Sequence, residues 1–386
     1  MQLVNSQDRY DVTVEIEIGA RVRARIKEVL GNAKHADVAA LIEMTPDAFS
    51  RSINGKRSFT AIELVELARV LSTSAHWLVT GQEDPYAVRY AGRHTYDQEA
   101  RAHQVIDWDT EHLPIAAVAR TYVQVADRLA PQPALPAALT ASQARASLLE
   151  AGGPEFVRSL ADDVERAFGI DVVRLSGVNR GFALEVAGNR VIIVNETPNW
   201  FYENWSIAHE LSHVIRGELS ELGDSACDDP RAEIRANAFA AELLMPEDAV
   251  HAVNWKSAAP ADVASYLWAA GVSTESLRIR LTKLKVQVSD SAVTCLKAKT
   301  IPVIRESWME GDAEELVALR IQQASSRRFP ERLVAAHANA VARGELHAGS
   351  LAWMLDVDRE SLEAELAPPT EPVDIDWLAR ELGLAD

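Results

Sequence analysis

The pentapeptide His209-Glu210-Leu211-Ser212-His213 constrains this chain more than any other segment. Residues four apart share one face of an α-helix, so a helix here brings both imidazoles to one point. Apolar flanks at Trp205, Ile207, Ala208, Leu211, Val214 and Ile215 bury such a helix, expected over 206–216, on one side. The pentapeptide alone also suits a solvated helix face with two surface histidines. The buried reading has chemical content: two imidazoles hold a zinc ion, and Glu210 lies beside the open coordination position, where a general base takes a proton from water.

Catalytic zinc usually takes a third protein ligand. The metzincin pattern does not supply it, because Arg216 stands where glycine is needed and Leu219 where the third histidine would be. A carboxylate from a later helix remains, and Glu233 is the best candidate. It begins a helix expected over 229–244, on which Ala236, Ala240 and Leu244 share its face and allow close packing on the first helix. Asn237, one turn on, can hydrogen-bond a ligand. The rival Glu242 lies about 900° further round, on the opposite side. Pro246 ends the helix.

His209-Glu210-Leu211-Ser212-His213, followed by Glu233, Ala236, Asn237, Phe239 and the run Ala240-Ala241-Glu242-Leu243-Leu244-Met245-Pro246, resembles the ImmA/IrrE family of bacterial metallopeptidases. The likeness is dense over 190–246, thinner back to about 145, and extends through 271–281. It implies a gluzincin-type α+β metallopeptidase domain over 145–290, with zinc on His209, His213 and Glu233 and Glu210 as catalytic base. Members of that family typically cleave a transcriptional repressor or act as regulators themselves. Ser212 replaces the family's common glycine.

Upstream, apolar residues recur at helical spacing over 18–30, 38–42, 48–53, 62–71 and 75–78, predicting five short helices. Thr45 can cap the third, with Pro46 at its first position. The order of these segments resembles the Cro/C1 or XRE-type helix-turn-helix domain, here over 1–84. That resemblance implies a DNA surface in which Ser50 and Arg51 face base edges and Lys56 and Arg57 hold the backbone. Asn54, also expected on that DNA surface, stands where the family commonly has glutamate, and the glutamine common near Ala36 is missing. Residues 18–60 carry eight basic and four acidic side chains, +4 within a chain of net charge −18, which gives the positive potential that phosphate contact needs. A helical dimerisation or protein-binding module is the alternative. Such DNA-binding modules usually read paired half-sites, so a homodimer is possible.

The intervening 85–144 reads as a linker, with a helix over 115–129 and a Pro-rich stretch over 130–136. A helix over 156–168 and strands over 182–186 and 190–195 follow, with Gly188-Asn189 as the turn. The strand over 190–195 offers an edge for an extended peptide or is an ordinary core hairpin. Trp200, Phe201, Tyr202 and Trp205 form a cleft wall or pack in the core. Residues 291–386 read as a helical C-terminal domain anchored by Trp308, Trp353 and Trp377, with no chemistry of their own.

Cys227 and Cys295 form no CxxC pair and read as free thiols suited to a reducing cytosol. With no signal peptide and no stretch near the ~20 apolar residues of a membrane span, a soluble cytoplasmic protein without a membrane partner is expected. The expected fold is mostly α with a small β-sheet. Two functions fit: a DNA-binding regulator whose zinc endopeptidase cleaves a regulatory protein, and a transcription factor whose zinc-site domain senses or scaffolds without turnover.

Overall fold

The computed structural model describes residues 6–366 apart from 32, 72, 83, 85–86, 92–93, 98–101, 106–107, 137–138, 222–229 and 309–312. Cys227 and Trp377 lie outside the described residues. The first segment folds as five helices, α1 (Ser6–Val29), α2 (His35–Leu41), α3 (Pro46–Ile53), α4 (Ala61–Val70) and α5 (Ala75–Thr80). Val22, Val38, Phe49, Leu67 and Leu78 are buried together at their centre. Thr45 accepts the Ala48 N–H and Pro46 takes the first position of α3, the start signals legible in the sequence.

A five-stranded sheet organises the rest. It contains β1 (Val88–Ala91), β4 (Asp171–Leu175), β5 (Phe182–Val186), β6 (Asn189–Asn195) and β7 (Ser220–Glu221) in the order β4-β6-β5-β1-β7, while β2 (His94–Asp97) and β3 (Ala102–Val105) pair separately. Strand β4 runs parallel to β6, and the β6–β5 and β5–β1 pairs are antiparallel. Ala187 and Gly188, both with positive φ (47° and 72°), make the hairpin turn. It therefore falls one residue before the expected Gly188-Asn189, and Asn189 instead pairs with Val186. Since β6 is bonded on both sides, it presents no edge to a peptide, and the core-hairpin reading holds.

Alternating side chains bury both sheet faces. Val172, Ala183, Ile192 and Val194 face α7 (Ala141–Gly152), α8 (Leu160–Phe168), the long α9 (Trp200–Arg216) and α10 (Pro230–Leu244). Beyond them lie α11 (Glu247–His251), α12 (Pro260–Ala270), α13 (Thr274–Lys283), α14 (Asp290–Cys295), α15 (Thr300–Ser307) and α16 (Ala313–Ala324). Trp308 is buried there, its ring 4.4 Å from that of Trp268. Cys295 is a free, half-buried thiol.

Val173, Leu184, Val191 and Ile193 point to the other face, covered by α6 (Trp108–Gln124), α17 (Glu331–Ala342), α18 (Gly349–Leu355) and α19 (Arg359–Leu366). Part of the stretch read as a linker, β1 and α6, thus belongs to the sheet's own core. The C-terminal helices close the same face, and Trp353 packs on Phe329 at 5.2 Å. Beyond them, Arg328 forms a two-way backbone bridge with Arg174 on the outer edge of β4. Among the described residues, no helix is long and apolar enough to cross a membrane.

Candidate metal centre

Helix α9 is longer than the expected 206–216. It starts at Trp200, buries Ile207, Ala208 and Leu211 against the sheet, and stops at Gly217 in the left-handed conformation. Helix α10 packs directly on it through Ala236 and Ala240, both fully buried. The small side chains allow this approach, which sets Glu233 against the histidines. His209 Nε2 lies 3.1 Å from Glu233 Oε2 and 3.3 Å from His213 Nε2, and His213 Nε2 lies 3.6 Å from Glu233 Oε1. The three side chains offer ligand atoms all within 4.8 Å of one another. Bonds of 2.0–2.1 Å to a tetrahedral zinc would place donor atoms about 3.4 Å apart, so this donor set fits the ion. Glu242 is elsewhere, paired with Arg280.

Each histidine is held from behind. Asn237 Oδ1 lies 3.3 Å from His209 Nδ1, as expected of the residue one turn after Glu233. Glu218 Oε2 lies 3.0 Å from His213 Nδ1, and its other oxygen accepts two bonds from Arg235, at 2.7 and 3.2 Å. With both Nδ1 atoms protonated toward these acceptors, both Nε2 lone pairs are free for a cation. Glu218 was not legible in the sequence: it follows the helix end, and its spacing from His213 matches no ligand pattern.

Glu210 is buried, and its Oε2 has no hydrogen-bond partner among the described residues. The Ala183 N–H of β5 bonds the carboxylate. Gly181 lies so close that a Cβ there would come within 2.8 Å of Glu210 Cγ and 2.9 Å of Oε1. Burial pushes the Glu210 pKa up, against the pull of His209 and His213. Burial opposes charge on His209, yet the Glu233 hydrogen bond and the charges of Glu210 and Glu233 hold its pKa above the ordinary value. The same negative surroundings favour a bound cation.

His209, Glu210 and Glu233 border a cavity of about 790 Å³ between α9, α10, α13 and the segment leading into β5. The aromatic run divides: Trp200 is buried in the core, whereas Phe201, Tyr202 and Trp205 line the cavity. Strand β1 covers the outer edge of β5, with Ala91 opposite Ala183.

Among the residues expected on DNA, Ser50, Arg51, Asn54 and Lys56 are exposed on or just after α3. Asn54 donates to the Ser50 carbonyl at 2.7 Å. Arg57 differs, because it forms a two-pronged pair with Glu63 at 2.8 and 2.9 Å and also donates to Ser52. Arg21, Arg23 and Arg25 bond carbonyl groups at Leu78, Ile53 and Leu71, tying α1 to the ends of α5, α3 and α4.

A search among curated proteins and a search among solved structures returned no match. Residues 165–282, which carry His209, Glu210, His213, Glu218 and Glu233, match the family model of the IrrE N-terminal-like domain, Peptidase_M78, and this match supports a peptidase-type domain of the ImmA/IrrE kind in that part of the chain.

Proposed function

We propose that this protein is a zinc-dependent endopeptidase of the gluzincin type, joined to an N-terminal XRE-type DNA-binding domain, that cleaves a regulatory protein, a transcriptional repressor, in the cytoplasm. The observation that carries the enzymatic part is Glu210. A structural metal site needs ligands alone, but here a buried carboxylate with an unpartnered oxygen borders the His209, His213 and Glu233 cluster inside an open cavity. His209, His213 and Glu233 would hold the ion. When bound, zinc supplies Lewis-acid polarisation of the scissile carbonyl and lowers the pKa of water. Glu210 Oε2 then takes the proton of the attacking water and returns it to the leaving amine. The Ala183 N–H and the lack of a side chain at Gly181 hold that carboxylate in place.

The DNA part draws its support from the exposed Ser50, Arg51 and Lys56 on and beside α3, within a segment whose formal charge opposes that of the whole chain. The experiment is a capture with Glu210→Gln protein, followed by incubation of the captured partner with zinc-loaded wild type. The wild type cuts the partner at one site and the variant leaves it intact while retaining zinc. A variant that cuts as fast as wild type, or a wild type that leaves every captured partner whole, contradicts the proposal and favours a zinc-site domain that senses or scaffolds.

A further inference from the structure

Exposed apolar side chains scattered singly are ordinary, but several gathered on one groove mark a ligand-binding surface. Three such side chains, Tyr202 of α9, Ile234 of α10 and Ile279 of α13, are 43%, 64% and 49% exposed and open onto the cavity bordered by His209, Glu210 and Glu233. Phe201 and Trp205 continue the same wall. Ile234 directly follows the ligand Glu233, and Ala238 and Ala241, one and two turns on, are short enough to leave room beside it. Ser276 and Ile279 line the cavity from the facing α13.

Two of the charged side chains along this groove are paired, while Lys283 at the end of α13 is exposed at its rim. Arg280 is tied to Glu242 and to the Met245 carbonyl, and Glu275 forms a two-pronged pair with Arg278 at 2.5 and 2.8 Å. A charged side chain entering between α10 and α13 would lose water and meet carbon. A bulky apolar one would lose only its hydrophobic hydration.

We infer that the groove between α10 and α13 is the specificity pocket of this site, and that it takes a large apolar side chain, of leucine or phenylalanine size, from the residue next to the scissile bond. The inference rests on the peptidase reading and adds the substrate class to it. Ile234 and Ile279 are the specificity-determining residues, and neither has a part in holding the ion.

The test uses two small probes that anchor on zinc without turnover, N-acyl-leucine hydroxamate and N-acyl-aspartate hydroxamate, titrated calorimetrically into full-length zinc-loaded protein. The leucine probe binds at least about tenfold tighter than the aspartate probe, as burial of one such side chain requires. In Ile234→Asp and Ile279→Asp, both exposed positions that should tolerate change, the preference falls to threefold or less while zinc content stays at the wild-type level. Equal binding of the two probes by wild type, or an unchanged preference in both variants, overturns the pocket assignment. Digestion of a random peptide pool by the same preparation reports separately on the peptidase reading. Cleavage without apolar preference sinks the pocket and leaves the enzyme standing, whereas discrimination between the probes without any cleavage keeps the pocket and removes the enzyme.

Discussion

His213 Nδ1 and Glu218 Oε2 lie 3.0 Å apart, with Arg235 bound to the other oxygen of the same carboxylate. The pair fixes which imidazole nitrogen carries the proton and turns Nε2 toward Glu233 and His209. Loss of such a partner typically costs a metal site 10–100-fold in affinity. Glu218→Ala should weaken zinc binding by about that factor in competition with a chelator, and Glu218→Gln, which still accepts a hydrogen bond, should recover part of it. Equal zinc affinity in wild type and Glu218→Ala would show that the pair does not orient His213.

Gly181 tests the positioning of Glu210 apart from its chemistry. A methyl group there meets Glu210 Cγ and Oε1 at 2.8 and 2.9 Å, so the flexible carboxylate must move. Gly181→Ala should lower kcat on the captured partner by about 10–100-fold while leaving zinc content unchanged, since a misplacement of about 1 Å at the chemistry costs on that order. An unchanged kcat would mean that the base tolerates displacement.

Buried charge links the C-terminal helices to the centre. Arg174 of β4 binds Glu203 of α9 and the carbonyl groups of Gln323 and Ser326 at the C-terminal end of α16, and both charged side chains are buried. Removing one partner leaves an uncompensated buried charge at about 3–5 kcal/mol. Glu203→Ala should therefore destabilise the fold by about that amount in urea denaturation, and a loss under 1 kcal/mol would contradict the account.

In the N-terminal unit, the Arg57 hydrogen bonds hold the Glu63 carboxyl below its ordinary pKa. A carboxylate lowered by folding stabilises the native state above its unfolded pKa, and that contribution fades as pH falls through the native value. Thermal unfolding of the wild type should lose about 0.5–1 kcal/mol across that acid range relative to Glu63→Gln, the size expected of a partly exposed pair. The same pairing predicts that Arg57→Ala changes operator binding less than Arg51→Ala, which should cost about 1–3 kcal/mol in a gel-shift or anisotropy titration at fixed salt. Equal binding by wild type and Arg51→Ala would count against α3 as the reading helix.

The juxtaposition of His209, His213 and Glu233 was legible because helical geometry is local: four-residue spacing places His209 with His213, and the alanines at 236 and 240 announce a close neighbour for α9. Glu233 as the candidate third donor also followed from chemistry, since the metzincin histidine is missing and a carboxylate on a later helix can complete the set. Long-range pairing left no such trace. Strand β1 joins β5 across more than ninety intervening positions, and nothing in residues 88–91 announces it. Glu218 and Gly181 likewise act through backbone placement that only the folded chain sets. The covering of the sheet's second face by α6 and α17–α19 explains why the apparent linker and the C-terminal stretch carry so much buried leucine, valine and alanine.

The most direct test of the centre is equilibrium zinc binding by the full-length protein, read by metal analysis after dialysis against a zinc buffer. Wild type and Glu210→Gln should each hold one zinc, with affinities within about tenfold, as expected of a base that is not itself a ligand. Glu233→Ala should lose at least about a hundredfold in affinity, as removal of one of three protein ligands demands. Undiminished binding by Glu233→Ala, or loss of zinc in Glu210→Gln, would contradict the assignment of His209, His213 and Glu233 as the ligands.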